Sequence, residues 1–412
     1  MAAGQKGRDR DMKMMSGRNG TGFLGLHRNI ISLGWVSLLT DFSSEMIYPL
    51  LPIFLTSVLG MGTTFVGAVE GVAESTASFL KLFSGTWSDR GGKRKTWVTW
   101  GYTLSTFVRP LVAAATAGWH VLLIRFLDRV GKGIRTSPRD ALIAESSPKD
   151  EQGKAFGFQR AMDHAGAVIG PLAAFLLLTL WTKNVRTVFW LAMIPGLMAL
   201  LTLSRGVQEV LVPSSPRPLG TRISFTLKPF DRRFKTLLAI LVLFTLGNSS
   251  DAFLILKARA VGIPVSLIPL LWIVLHLSKS LSATPGGILS DRSGRKTALV
   301  AGWLVYGAVY AGFATAQTPG AVWVLFGAYG LFYGLTEGSE RAMVADLVAP
   351  SLRGTAYGWF HFAIGLSTLP ASLLMGLLWE TFGSSVAFGL GAVLALISAL
   401  LLWSLLPRGK PG

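Results

Sequence analysis

The chemistry of this chain rests on ionisable side chains set in otherwise apolar stretches. The densest run is RFLDRVGKGIRTSPRD at 125–140, where Arg125, Asp128, Arg129, Lys132 and Arg139 recur at steps that share one helical face. Asp41, Ser44, Glu45 and Tyr48 keep the same spacing, and Glu70, Glu74 and Lys81 form a shorter stripe. Further along come Arg160, Asp163 and His164, then Asp251, His276 with Lys279, Glu337 with Glu340 and Arg341, and His361. Arg109 directly precedes Pro110. Acids and bases interleaved in this way are suited to holding and releasing protons and to binding a charged solute. Each costs roughly 2.5–3.5 kcal/mol at a bilayer centre on insertion scales, so such a face needs water or opposing charge rather than lipid.

Two roles compete for these groups. As buried ion pairs they would join helices, for example Asp128 with a neighbouring Arg, a reading that suits Arg109, Arg160 and Lys81. As carriers they would handle protons or substrate, the reading for Asp41, Glu45, Asp251 and Arg129. A carboxylate in a partly dry cavity can be proton-loaded near neutral pH. Glu45 and Asp41 are therefore the expected proton site, with Arg129 as electrostatic partner. The expected proton or substrate path comprises Asp41, Glu45, Glu74, Arg125, Asp128, Arg129, Lys132, Asp163, His164, Asp251, His276 and Glu337.

The elements that must position these groups are membrane spans. Hydrophobic residues make up 51% of the 412 and charged residues only 15%, against roughly 25% charged in a soluble domain. Stretches of spanning length recur about twelve times, at 30–57, 64–87, 96–116, 120–141, 154–180, 187–204, 236–258, 264–289, 297–316, 320–345, 354–378 and 384–406. The expected fold is all-α: a polytopic membrane protein of about twelve transmembrane helices in two pseudo-symmetric six-helix bundles. A basic tail at 1–28, with no signal-peptide core, precedes an N-terminal bundle at 29–204. A linker at 205–235, with Pro213, Pro216, Pro218 and seven Lys or Arg, leads to a C-terminal bundle at 236–407.

The net charge of +18 gathers in the tail, the 88–95 and 290–296 loops, the 142–153 region, the linker, and Arg408 and Lys410, all on one side of the alternating spans. Basic loops face the cytoplasm, so both termini are expected inside, and the charge is explained without nucleic acid. The expected setting is a plasma membrane of bacterial inner-membrane type. A monomer is expected, since one chain holds both halves. With no Cys, the chain has no disulfide framework or thiolate chemistry. It lacks G-x-S-x-G and H-E-x-x-H runs, and GKGIR at 131–135 lacks the Ser or Thr that ends a phosphate loop, so an enzyme, a cofactor and a metal site are not expected.

The halves echo each other. GTWSDRGGKRK at 85–95 and GILSDRSGRK at 287–296 each follow a long apolar run, with Asp89 and Asp291 lying 202 residues apart. Pro148 and Pro350 repeat that offset, Gly153 and Gly354 are 201 apart, and Ser43-Ser44-Glu45 resembles Ser249-Ser250-Asp251 at 206. Parallel repeats imply a site at the midplane between the halves.

On these residues the chain resembles the major facilitator superfamily over about 28–407. Gly85, Asp89, Arg90, Gly92, Lys93 and Arg94 fit that family's signature between its second and third helices, with Trp87 where Leu is usual. Gly287, Leu289, Asp291, Arg292, Gly294, Arg295 and Lys296 fit it fully. The resemblance implies that Asp89 faces the start of the eleventh helix near Gly354, a contact that can exist only while the cytoplasmic side is closed. Asp140 is the expected partner of Arg94 in this latch, and a plain topology anchor is the alternative. An Arg facing the cavity from the fourth helix is also implied, with Arg125 and Arg129 as rivals. In the fifth helix Gly157, Gly166, Gly170 and Pro171 match an antiporter-associated motif, whose final Gly pair is replaced by Ala174 and Phe175. The implied function is secondary active transport by alternating access, with proton-coupled export of a small organic compound. The alternatives are transport of an anionic metabolite or metal chelate, and a transport-dead scaffold or sensor.

Overall fold

The computed structural model of the chain describes residues 26–91, 93–147, 152–209, 227–348 and 353–406. Among these residues the secondary structure is helical, and the helices fall into twelve segments. They are α1 (Arg28–Val58), α2 (Thr63–Gly91), α3 (Arg94–Val108, continued by a 3₁₀ turn Arg109–Ala114), α4 (Gly118–Glu145), α5 (Gln152–Leu176, ending in a π turn Leu177–Trp181) and α6 (Val185–Gly206). The second six are α7 (Arg232–Ala260), α8 (Ile268–Ser293), α9 (Arg295–Thr315), α10 (Pro319–Asp346), α11 (Arg353–Phe382) and α12 (Ser384–Leu405).

Nine of the segments are long and apolar enough to cross a membrane on hydropathy alone. The three that fall short, α2, α3 and α4, carry most of the charged stripes. Several of those charges are paired between neighbouring helices, as Arg109 with Asp128, Arg125 with Glu70 and Arg129 with Glu74, which lowers the cost of placing them in a span.

Two of the helix interruptions lie beside acids at mid-depth. In α1 the Tyr48–Leu50 turn tightens to 3₁₀ around Pro49, and Pro52 follows. In α7 the helix stops at Gly247 and restarts at Ala252, with the Ser250 hydroxyl accepting from the Ala252 amide at 3.2 Å. Interrupted helices at the midplane leave backbone groups free to meet a solute and mark sites in transporters. These breaks lie beside the two matching Ser-Ser-acid triplets.

Helix α1 packs on α5 and α6, α4 on α2 and α3, α8 on α10, and α12 on α9 and α7. The halves meet mainly through α2 against α11 and α5 against α8. We call the face where α1 starts and α12 ends the near face, and the opposite one the far face. From the far face to mid-depth, α2 and α11 touch closely. The Thr63 hydroxyl donates to Gly376 O at 2.9 Å, the Thr64 amide to Glu380 Oε2 at 3.1 Å and the Ser75 hydroxyl to Gly365 O at 2.6 Å. A Cβ on Gly67 would strike the Ser372 carbonyl, and one on Gly71 would lie 2.8 Å from Leu369 Cα. Glycine at these positions lets two backbones pack with nothing between them. Residues 51–53 of α1 also pack on the last part of α7, so the central path is sealed on the far side.

The duplicated hairpins are tighter than the sequence suggests. Helix α2 runs on to Gly91 and α3 begins at Arg94, so most of the expected 88–95 loop is helical. In the second copy α8 ends at Ser293 and α9 begins at Arg295, joined through Gly294 at φ +89°. A residue with a Cβ resists that conformation, which explains the glycine. Gly92 and the side chains of Asp89, Arg90 and Asp291 lie outside what is described, as does any contact of Asp89 with the start of α11. Gly85 is a helical position in α2, and Arg292 is exposed at the end of α8. Arg295 meets Asp346 at 3.9 Å. The expected Arg94–Asp140 pair does not form. Arg94 reaches Glu145 at 2.8 Å, more than a turn nearer the end of α4, while Asp140 is held by its neighbour Arg139 at 2.9 Å.

Candidate functional site

The N-terminal half contains a buried ionic array. Arg109 donates to Asp128 Oδ1 from Nε at 3.2 Å and from Nη2 at 3.0 Å. Its Nη1 donates to Thr40 O and to Ser43 Oγ of α1, at 3.2 and 3.3 Å. Arg125 lies 3.8 Å from the other Asp128 oxygen and donates to both Glu70 oxygens at 3.0 Å. All four side chains are under 10% exposed, so they neutralise each other away from water. The array ties α1, α2, α3 and α4 together. Asp128 and Arg125, expected in the path, are both engaged in this array. Arg109 takes the structural role the sequence suggested.

One turn beyond Arg125, Arg129 pairs with Glu74 at 3.1 Å, and Glu74 is 43% exposed. Arg125 and Arg129 are equally buried, and they differ in their partners: Arg129 holds the part-exposed Glu74, whereas Arg125 holds the buried Glu70 and lies over the Tyr48 ring at 5.4 Å. Lys132 sits beyond Arg129 with no ion-pair partner among the described residues, and its electrostatic neighbours are Arg129, Glu74, Lys81 and Asp41. Asp41 likewise makes no direct ion pair among the described residues, and feels Asp163, Glu45, Lys132 and Arg139.

Glu45 makes a direct bond between the halves. Trp272 of α8 donates its indole N–H to Glu45 Oε2 at 2.7 Å. The Trp272 ring lies 5.1 Å from Tyr48 and 5.4 Å from His276. Lys132, Arg129 and Lys279 surround Glu45 with positive charge from both halves. His276 is less settled, because both of its ring nitrogens are buried without a hydrogen-bond partner.

The glycines of the α5 motif explain how the acids of α1 are aimed. A Cβ on Gly166 would collide with Leu38 O, and one on Gly170 would lie 2.6 Å from Phe42 O and 3.0 Å from Glu45 Cβ. Their bare surfaces let α1 press against α5, with Asp41 and Glu45 flanking the contact. Pro171 is buried inside α5, and Gly157 is a helical position of the same segment. Asp163 accepts from Gln159 at 2.5 Å and lies 3.9 Å from Arg160, and Gln159 reaches Ser37 of α1. His164 is exposed next to it.

In the C-terminal half Asp251 sits on the break in α7. It accepts from the Tyr329 hydroxyl at 2.8 Å and the Tyr333 hydroxyl at 3.3 Å, and Lys279 lies 3.7 Å away. The Lys279 ammonium also stands 3.5 Å over the Tyr333 ring, a cation–π contact. Glu337 is 60% exposed and pairs with Arg341 at 3.4 Å. The reading of the charges alone passed over Trp272, Tyr329 and Tyr333. A signal was available: Tyr329, Tyr333, Glu337 and Arg341 follow one another at four-residue steps, continuing a charged stripe with aromatic hydroxyls.

The sequence matches the Major Facilitator Superfamily over residues 33–272 and 236–412. An MFS-type transporter of Methanocaldococcus jannaschii, itself uncharacterized, is 38% identical over 389 residues, covering 92% of this chain and 94% of the relative. The multidrug resistance protein MdtH of Photorhabdus laumondii is 25% identical, covering 80% of this chain and 81% of its own. The multi-drug resistance efflux pump PmrA of Streptococcus pneumoniae is 26% identical, with 75% and 78% covered. The crystal structure of a mutant of the nucleoside transporter NupG superimposes with a TM-score of 0.80 at 13% identity, over 92% of this chain and 100% of that one. These likenesses mark a transporter rather than an enzyme. A sealed far side, two broken helices and an acid of one half bonded to the other are parts of an alternating-access machine, and the chain belongs to the major facilitator superfamily.

Proposed function

We propose that this transporter exports a small organic compound in exchange for protons, with Glu45 as the exchange site. The observation that carries the proposal is the Glu45–Trp272 hydrogen bond between the halves. An ionised carboxylate accepts far more strongly than a protonated one. While Glu45 is charged and otherwise unoccupied, it therefore holds α8 against α1 and keeps the far side shut. A substrate that takes over the carboxylate removes the acceptor from Trp272 and frees the halves to rock. A proton on Glu45 does the same on the return leg. The empty, deprotonated carrier stays locked, and that is the rule an exchanger must obey. The multidrug efflux relatives support the outward direction. On this reading the near face is cytoplasmic, the membrane is a plasma membrane of bacterial inner-membrane type, and the working unit is a monomer.

The test is Glu45→Gln in everted membrane vesicles carrying an imposed pH gradient, with a panel of fluorescent efflux substrates. Gradient-driven accumulation is expected to vanish while substrate counterflow survives, because the amide cannot carry a proton but the rocking fold remains. Undiminished gradient-driven accumulation in the variant removes Glu45 from the role.

A further inference from the structure

On the outer surface of α3 a groove of about 330 Å³ is lined by Lys95, Thr96, Thr99, Trp100 and Thr103. These positions share one helical face. They run inward from the start of α3 on the near face for about 12 Å, at 1.5 Å per residue. Its chemistry does not suit hydrocarbon. The Thr96 and Thr103 hydroxyls have no hydrogen-bond partner among the described residues, and an unpaired hydroxyl facing lipid tails is costly. Trp100 is 69% exposed beside them, as an indole at headgroup depth would be. Around the mouth lie exposed Lys93 and Arg205, and Lys95 reaches Ser204 O at 3.3 Å. Arg28 joins this rim through its bond to Arg205 O. The nearby acid is Glu209, whose carboxylate accepts from the Lys95 amide at 3.0 and 3.1 Å and so offsets part of that charge. Arg94 is engaged by Glu145. Farther down, the exposed surface becomes purely apolar at Phe107 and Leu111.

We infer that this groove is a binding site for one anionic phospholipid. Its phosphate would sit at Lys95 and Arg205, its glycerol and ester oxygens would accept from the Thr96 and Thr103 hydroxyls, Thr99 being already bonded to Lys95 O at 2.8 Å, and its acyl chains would follow Phe107 and Leu111. The gradient from cation through hydroxyl and indole to hydrocarbon side chain follows the polarity of a lipid molecule from head to tail. A free phosphate would satisfy only the mouth. The site is separate from the buried ionic array, which α3 joins through Arg109.

The experiment is native mass spectrometry of the full chain in detergent, titrated with dioleoylphosphatidylglycerol, dioleoylphosphatidylcholine or inorganic phosphate. One phosphatidylglycerol is expected to be retained at conditions that strip phosphatidylcholine. Lys95→Gln is expected to weaken its binding roughly fivefold, the effect of one basic residue at an anionic lipid surface, and Lys95→Gln with Arg205→Gln more. Thr103→Leu, which fills the lower groove without touching charge, should also lower retention. Equal retention of both lipids, retention unchanged in both the charge and the Thr103 variants, or phosphate alone competing away the lipid at comparable concentration overturns the assignment.

Discussion

Asp128 offers the sharpest test of how the N-terminal half is built. The array holds two guanidiniums, Arg109 and Arg125, against two carboxylates, Asp128 and Glu70, all nearly inaccessible to water. Asp128→Asn keeps the volume but leaves the array with one uncompensated positive charge. Arg109 would keep its bonds to Thr40 O and Ser43 Oγ while losing its partner at 3.0 Å. Breaking one side of a buried pair costs about 3–5 kcal/mol, because the remaining charge is stranded in a low-dielectric site. Arg109→Met should cost a similar amount from the opposite direction, stranding Asp128 with Arg125 at 3.8 Å. The double variant removes both charges and leaves Arg125 with Glu70 intact, so its cost should fall short of the sum by about 3 kcal/mol. Unfolding of purified protein in mixed micelles, titrated with SDS and followed by circular dichroism, gives the three values. Strict additivity would refute the joint, and so would a loss below about 1 kcal/mol for Asp128→Asn. Transport adds a second arm. The double variant should still move substrate, because Arg129, Glu74 and Glu45 are untouched. A dead but fully stable double variant would return Asp128 to the path.

Two further outcomes follow from the seal between the halves. Trp272→Phe keeps an aromatic ring against Tyr48 but removes the donor to Glu45, so the empty carrier should slip, seen as a substrate-independent proton leak in proteoliposomes. A Cβ on Gly376 would lie 2.6 Å from Thr63 O, so Gly376→Ala should wedge α2 from α11. Overpacking of ~1.4 kcal/mol would shift the open population roughly tenfold, read as faster maleimide labelling of a Ser372→Cys reporter in a chain with no native Cys.

The architecture was legible in the sequence because it follows from one-dimensional signals. Apolar length, basic loops and a repeat near half the chain gave twelve spans in two sets. The α5 glycines were legible as a packing motif, although not that they seat Asp41 and Glu45. Partner choice was not legible, because it is decided by tertiary packing. Asp128 finds Arg109 19 residues away, Arg125 finds Glu70 at 55, and Glu45 finds Trp272 at 227. Helical spacing could place Arg125 and Arg129 on one face of α4, but not say that the first meets a buried acid and the second a half-exposed one. The Arg94–Asp140 pairing failed for a related reason. Asp140 has an arginine beside it in sequence, which satisfies it locally.

The repeat conceals a division of labour. In the N-terminal half the helices too polar to insert on hydropathy are joined by charge. The C-terminal half packs rings: Phe244 on Trp303 at 4.5 Å, Tyr306 on Tyr310 at 4.1 Å, and Tyr329 on Phe332 at 5.8 Å, closing around Asp251. Ion pairs bridging four helices and interlocked aromatic rings both make stiff bodies, since each has one good geometry and a steep loss on leaving it. Between the halves run glycine backbones, hydroxyl-to-carbonyl bonds, the Thr64 amide–Glu380 bond, the Trp272–Glu45 bond and the Tyr48–Trp272 and Phe79–Phe362 ring contacts, and the polar ones can be exchanged for water or solute at small cost. Rocking therefore concentrates at the α2–α11, α5–α8 and α1–α8 seams, and of the two acids bonded across them Glu45 lies at mid-depth and Glu380 at the far face. If motion were instead absorbed inside a bundle, substitutions in the ionic array would change transport coupling before they changed stability.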